Sequence, residues 1–351
     1  MNRFGLIGYG AWGRFHARAI AAAQGARLAA IACRTEASAD AARAEFPDAR
    51  VTTRWQDIVD DPSIDAVDIV LPNYLHADVA CAALGQGKDV LLEKPLATTR
   101  ADCDRLVLAS QTSVGVLSIG HEFRLSTQWG RAKRLIDEGA IGDPLWVNVN
   151  LFRNPYRLGA DGWRHDTARV GSWILEEAVH FFDFALWYLE RYGDPQTIRT
   201  HGRSRSVRAS GMVDVCSSTL TFAGGAYATI NQCVAGFEHH LVVEVAGSDG
   251  AIRTSWSGAM DRDDRPVFDF RVQPKGFAFK RGVHEAEHHA IPASGEVFEL
   301  AEQVRLTVLA FAHRRPLVSA EESRKRVICC LAAEESMREG REVTVDFLMK
   351  P

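Results

Sequence analysis

Three side chains of this 351-residue chain have the chemistry to move a proton on or off a hydroxyl group: Lys94, His180 and Glu176. An imidazole titrates near working pH, an ammonium stabilises an alkoxide as it develops, and a carboxylate can orient the hydroxyl that reacts. Lys94 lies in Leu91-Leu92-Glu93-Lys94-Pro95, where a strand-like run ends, and open α/β sheets bind their ligands outside the carboxyl ends of the strands. Glu176, His180 and Asp183 are spaced i, i+4, i+7, which on an α-helix puts them on one stripe beside an apolar stripe of Phe182, Leu186 and Leu189. Within that set Asp183 reads as structural.

A second group carries a different chemistry. Gly8-Tyr9-Gly10-Ala11-Trp12-Gly13 is a GxGxxG that follows an apolar run and opens a helical stretch, with a second strand ending at Cys33 about 20 residues on. Gly8 allows a tight turn, Gly10 lets backbone amides, with those of Ala11 and Trp12, approach a pyrophosphate, and Gly13 permits close packing of helix on strand. At the end of the second strand a carboxylate would favour NAD; Cys33-Arg34-Thr35 stands there instead. Arg34 can stack on adenine or pair with a 2'-phosphate, so the expected cofactor is NADP or NAD with a lean to NADP. The alternative is a solvated Arg34, with Thr35 or Glu36 holding the ribose.

The elements that must position these groups follow an alternating pattern up to about Gly120. Apolar runs at Phe4–Ile7, Leu28–Cys33, Ala66–Leu71, Asp89–Leu92 and Val114–Ile119 alternate with helical stretches at Ala11–Ala23, Ala37–Glu45, His76–Gln86 and Arg100–Ser110, the last capped by Thr98 or Thr99. This is the pattern of a doubly wound parallel sheet. After a helix expected at Ser126–Glu138, strand-like runs dominate from Leu145: Ser217–Phe222 and Tyr227–Val234 flank the hairpin signal Ala223-Gly224-Gly225-Ala226, and His240–Ala246 and Ile252–Trp256 continue the set. A capping box at Ser319-Ala320-Glu321-Glu322 opens a helix to about Arg338, and Val343–Phe347 reads as a closing strand. The expected fold is α/β, an N-terminal Rossmann domain over residues 1–120 followed by an α+β domain over residues 121–351 built on a large, mostly antiparallel open sheet.

A net charge of −4 gives no basic surplus for a phosphate backbone to reward, which excludes nucleic acid as the expected partner. No apolar stretch reaches the roughly 20 residues a membrane helix needs, and the first residues run into a strand without a leader, so no membrane and a cytoplasmic location are expected. Seven cysteines without CxxC pairs suit reduced thiols. His284-Glu285-Ala286-Glu287-His288 matches HExxH, but with Gly282 before it and Pro292 after it the segment is expected to be a loop or short helix without metal. No metal is expected elsewhere.

Taken together, the nucleotide loop, Leu71-Pro72-Asn73-Tyr74-Leu75-His76, Leu91-Leu92-Glu93-Lys94-Pro95, Trp173-Ile174-Leu175-Glu176-Glu177-Ala178-Val179-His180 and Val243-Glu244-Val245-Ala246-Gly247-Ser248-Asp249-Gly250 resemble the glucose-fructose oxidoreductase / inositol dehydrogenase / MocA (Gfo/Idh/MocA) family along essentially the whole chain. The resemblance implies an NAD(P)-dependent dehydrogenase or reductase acting on a secondary alcohol or ketone of a sugar, cyclitol or sugar acid, and a homodimer or homotetramer joined through the second sheet. It makes Lys94 the active-site lysine and His180 the general acid/base, with Pro72, Asn73, His76, Glu93 and Pro95 shaping the nicotinamide end. Where the family carries an aspartate four residues before the histidine, this chain has Glu176, one methylene longer. His121, Arg124, Tyr156, Trp163 and Arg164 are expected to line the substrate pocket, since aromatic faces and forked donors suit a polyhydroxylated or acid-bearing ring. Two rival functions stay open at this point: a redox-neutral elimination or hydrolysis of a glycoside, and a nucleotide-binding sensor without turnover.

Overall fold

The computed structural model describes the chain except for residues 205–211, 260–262, 264, 275, 277–285, 293, 350 and 351. It contains two compact units.

The first unit is built on six parallel strands: β1 (Asn2–Ile7), β2 (Ala26–Ala32), β3 (Arg50–Thr52), β4 (Ala66–Ile69), β5 (Asp89–Glu93) and β6 (Leu117–Gly120), in the order β3-β2-β1-β4-β5-β6. This is the doubly wound order whose strand sequence reverses beside β1, where such sheets bind dinucleotides. Strands buried on both faces must be apolar throughout, and Phe4, Leu6, Ile7, Ile31, Val67, Leu91 and Leu92 accordingly lie in the core. Thr99 caps the helix Arg100–Thr112 by accepting from the Asp102 amide at 3.1 Å. Only the edge strand β3, three residues with a polar majority, lacks a run the pattern could flag.

The expected boundary at 120 misses one return of the chain. The first unit comprises Met1–Glu122 together with Glu299–Val327, and the second Phe123–Phe298 with Ile328–Pro351. The reason is apolar: Leu300, Val304, Val308 and Phe311, one stripe of the helix Glu296–Ala312, complete the core around Phe4, Leu6 and Ile20, and the rings of Phe4 and Phe311 stack at 6.2 Å.

The second unit carries nine strands, β7 (Pro144–Phe152), β8 (Thr197–Arg203), β9 (Val215–Thr221), β10 (Tyr227–Cys233), β11 (His239–Gly247), β12 (Ala251–Gly258), β13 (Val267–Gln273), β14 (Glu287–His288) and β15 (Val343–Thr344), in the order β14-β13-β12-β11-β7-β10-β9-β8-β15. All neighbours are antiparallel except β7 and β10. Gly224 and Gly225, both at positive φ, make the β9–β10 turn. Alternation in β11 buries Leu241, Val243 and Val245 and leaves Val242 and Glu244 on the other face. Ser319 and Glu322 form the reciprocal capping box that opens the helix Ala320–Glu339.

Of the HExxH segment, His284 and Glu285 lie outside the described residues, while Glu287 and His288 are strand β14, paired with β13. Extended backbone there replaces the expected loop or short helix. Among the described residues no cluster of His, Cys, Asp and Glu could hold a metal ion, and no helix is long and apolar enough to cross a membrane. All seven cysteines are free thiols.

Candidate active site

The nucleotide loop joins β1 to the helix Gly13–Ala22. Gly8 sits at φ +109° and a side chain there would run into the Val70 carbonyl, while one at Gly13 would strike the Gly8 carbonyl. At Gly10 an added Cβ would meet nothing within 4 Å. Two glycines are thus demanded by packing and the middle one leaves open space, as a backbone approached by a pyrophosphate requires. After it Ala11 is exposed, and Trp12 turns its ring edge-on to His16 at 5.4 Å. The loop fits a dinucleotide. At the end of β2 the expectation for Cys33 changes: its thiol is buried in the core of the first unit, and the next residue, Arg34, is exposed. Thr35 is engaged as the cap of the helix Glu36–Glu45.

Past β4, Pro72 and the buried Asn73 lead a short 3-10 turn into the helix His76–Gly85. His76 does not stand open to a ligand. Its Nδ1 lies 2.7 Å from the Pro95 carbonyl and its Nε2 2.9 Å from the Leu71 carbonyl, so the ring ties the loop after β4 to the loop after β5. Between those anchors Glu93 is buried, Lys94 is half-buried, and the Lys94–Pro95 peptide is cis. Glu122, within the His121–Arg124 stretch expected to line the pocket, is also buried; burial first, then the charge of Glu93, push its carboxyl up to about 8 against the opposing pull of Lys94.

In the second unit, Ile174–Ala178 form a π-turn, with the Val179 amide donating to Ile174, before the α-helix Val179–Tyr188 begins. The wider turn inserts a residue into the register, so the α-helical stripe expected for Glu176, His180 and Asp183 is interrupted; such bulges are frequent at functional sites. Nor does the helix show one apolar face. It is buried all round from Val179 to Leu186, packed against β7, β10 and the helix Trp129–Asp137.

Each polar group of this turn is fixed by a separate partner. Glu176 accepts from Arg164 Nε at 2.9 Å, and that guanidinium lies over the Trp163 ring at 5.0 Å. Glu177 accepts twice from Arg153 Nη1, at 3.0 and 2.9 Å, and also from the Tyr156 hydroxyl. His180, 4% exposed, stacks on Phe123 with centroids 4.4 Å apart. Asp183 accepts both arms of Arg124, at 2.8 and 2.7 Å.

These partners redistribute the expected pocket residues. Arg124 is committed to Asp183 and to the face of Trp187 at 5.3 Å. Tyr156 is buried with its hydroxyl on Glu177, and His121, 2% exposed, bonds Ser323 Oγ at 3.0 Å through Nε2. All three act as struts rather than as open donors, whereas Trp163 and Arg164 stay partly exposed beside Glu176. Arg153 and Glu177 were not anticipated as partners; the doubled acid Glu176-Glu177 was the one signal, since two buried acids in a row each need a cation.

Known proteins match this architecture. The model of the oxidoreductase family with an NAD-binding Rossmann fold matches residues 2–121, and that of the GFO/IDH/MocA C-terminal domain matches residues 129–253. Levoglucosan dehydrogenase of Pseudarthrobacter phenanthrenivorans is 30% identical over 286 residues, covering 71% of this chain and 72% of the relative. Inositol 2-dehydrogenase 1 of Saccharopolyspora erythraea is 31% identical over 256 residues, covering 71% and 73%. A crystal structure of levoglucosan dehydrogenase in complex with NADH and L-sorbose superposes with a TM-score of 0.80 at 25% identity, over 98% of this chain and 99% of that one. With models of both its domain types matched and a relative 30% identical over 71% of its length, the chain belongs to the Gfo/Idh/MocA oxidoreductase family.

Proposed function

We propose that the protein transfers hydride between a nicotinamide cofactor and a secondary alcohol or ketone carbon of a neutral polyhydroxylated ring, a sugar or a cyclitol. The observation that carries this reading is the retention of Lys94 at the end of β5 and of His180 after the Glu176 turn, in a family whose relatives are sugar and inositol dehydrogenases. The nicotinamide supplies the hydride acceptor, and the glycine loop with Arg34 would hold its nucleotide end. His180 takes the hydroxyl proton during oxidation and returns it during reduction. Lys94 donates to a substrate oxygen and stabilises negative charge that develops there. Glu176, held by Arg164, accepts a hydrogen bond from a neighbouring substrate hydroxyl.

The preference for a neutral ring rests on charge. Arg153, Arg164 and Arg169 each face a carboxylate of the protein itself, Glu177, Glu176 and Asp166. Forked donors expected to suit an acid-bearing ring thus meet acids of the protein itself, which favours the neutral ring. For the cofactor we propose NADP ahead of NAD: an exposed arginine, Arg34, stands at the end of β2 where a carboxylate would favour NAD, and the nearest acid past it, Glu36, faces Arg43. Assembly into a homodimer or homotetramer through the half-exposed face of the nine-stranded sheet completes the proposal.

The test is an absorbance assay for reduced nicotinamide, with NAD and NADP supplied separately, against inositols, neutral sugars, uronates and glycosides. Turnover with a neutral ring is the expected result. Turnover confined to uronates would overturn the substrate class, and bound nucleotide without turnover on any of them would overturn the reaction. Light scattering after size exclusion reads the assembly; a monomer would remove the sheet from that role.

A further inference from the structure

Two buried carboxyls of the first unit, Glu93 and Glu122, both feel the charge of Lys94 and yet are driven in opposite directions. Burial pushes both up. For Glu122 it wins, and the group rises to about 8. For Glu93, the close approach and charge of His16, then the charges of Lys94 and His76, hold the carboxyl below its ordinary value. What separates the two acids is His16.

That histidine stands one turn past Gly13 and is fully buried. Its Nδ1 is 2.7 Å from Asp68 Oδ2 on β4 and its Nε2 3.2 Å from Glu93 Oε1 at the end of β5. The Nδ1 bond to Asp68 is a hydrogen bond, whereas Nε2 and Glu93 Oε1 make an ion-pair contact without one; an imidazole standing between two carboxylates answers both charges only as imidazolium. Burial alone would push it down, but Asp68 and then Glu93 override this and push it up to about 10. Trp12 of the nucleotide loop closes over the ring. The other groups around the line are His76 near Glu93, and Glu299, whose charge acts on Glu122.

We propose that Asp68, His16 and Glu93 are positioning residues for Lys94, a line of alternating charge that keeps an ionised carboxylate beside the lysine and thereby keeps its ammonium protonated. A half-buried lysine tends to lose its proton, and an uncharged amine cannot stabilise an alkoxide. A carboxylate alone does not solve the problem, because buried here it takes up a proton as Glu122 does. The imidazolium clamp prevents that at Glu93.

The inference rests on the proposed reaction only for the value of an ammonium at Lys94; its test is independent of cofactor and substrate. Lys94 in the free protein is acetylated with acetic anhydride across a pH series and its modified fraction is read by peptide mass spectrometry. In Glu93→Gln the midpoint of labelling is expected to fall by roughly one pH unit. In His16→Gln it falls by less, because a cation leaves along with the ionised carboxylate. Asp68→Asn, of unchanged shape, moves it the same way and serves if His16→Gln does not fold. The alkaline limb of the kcat profile follows the labelling midpoint. An unmoved midpoint in Glu93→Gln overturns the proposal, and a shift there with none in either His16→Gln or Asp68→Asn overturns the line behind Glu93. A wild type that shows the labelling pattern yet turns over no alcohol overturns the proposed reaction and leaves the line standing.

Discussion

Around His180, the acids Glu176, Glu177 and Asp183 each face an arginine, whereas around Lys94 the acids Asp68, Glu93 and Glu122 share an imidazole and an ammonium. A guanidinium stays charged at every relevant pH and grips in a fixed fork; imidazole and ammonium titrate. The second unit therefore builds a scaffold whose geometry is indifferent to pH, and the first builds a charge state that other groups can adjust. One half holds position and the other sets protonation.

The largest effect that would sharpen this contrast is on turnover. Lys94→Ala and His180→Ala are each expected to lower kcat by about 10²–10⁴-fold in steady-state assays, and near-normal turnover of either would remove that residue from proton handling. Next, Glu177→Ala strands Arg153 without its acid; a loss of about 3–5 kcal/mol in urea unfolding is expected. A loss under about 1 kcal/mol would mean the pair behaves as an exposed one and that the scaffold reading is wrong.

Glu122→Gln probes the adjustable half. Because the folded carboxyl is raised to about 8 from an ordinary 4.5, its contribution to stability is complete below about pH 4.5 and is lost as pH rises through about 8. The wild type should thus lose on the order of 1–3 kcal/mol relative to the variant between pH 5 and pH 9, read from urea midpoints; parallel curves would contradict it. The smallest effect is expected from Arg164→Met, which releases Glu176 and should raise KM about tenfold with less change in kcat. An equal fall in kcat would mean that Arg164 serves the transition state and not ground-state binding.

Much of this was legible in the sequence because the chemistry sits at the ends of regular elements. The glycine loop, Lys94 after β5 and the strand–helix alternation follow from local pattern alone. Long-range pairing did not: His16 and Asp68 are 52 residues apart in the chain and meet because β1 and β4 are neighbours. Asp68 inside Ala66-Val67-Asp68-Ile69-Val70 was nevertheless a signal, since an acid in a strand buried on both faces needs a partner. The π-turn escaped because a spacing rule extrapolates α-helical register across a residue that breaks it. Arginine partners escaped for a simpler reason: composition counts cations but does not say which acid each one meets.

The return of Glu299–Val327 to the first unit has a consequence for how the protein is made. As the chain leaves the ribosome, β6 is finished well before the helix that supplies Leu300, Val304, Val308 and Phe311 exists, so the nucleotide-binding half waits with an open flank until most of the second half has been synthesised. Its folding is timed by the far end of the message, and a nucleotide-binding cassette cut at residue 122 for transplantation would carry that same exposed flank with it.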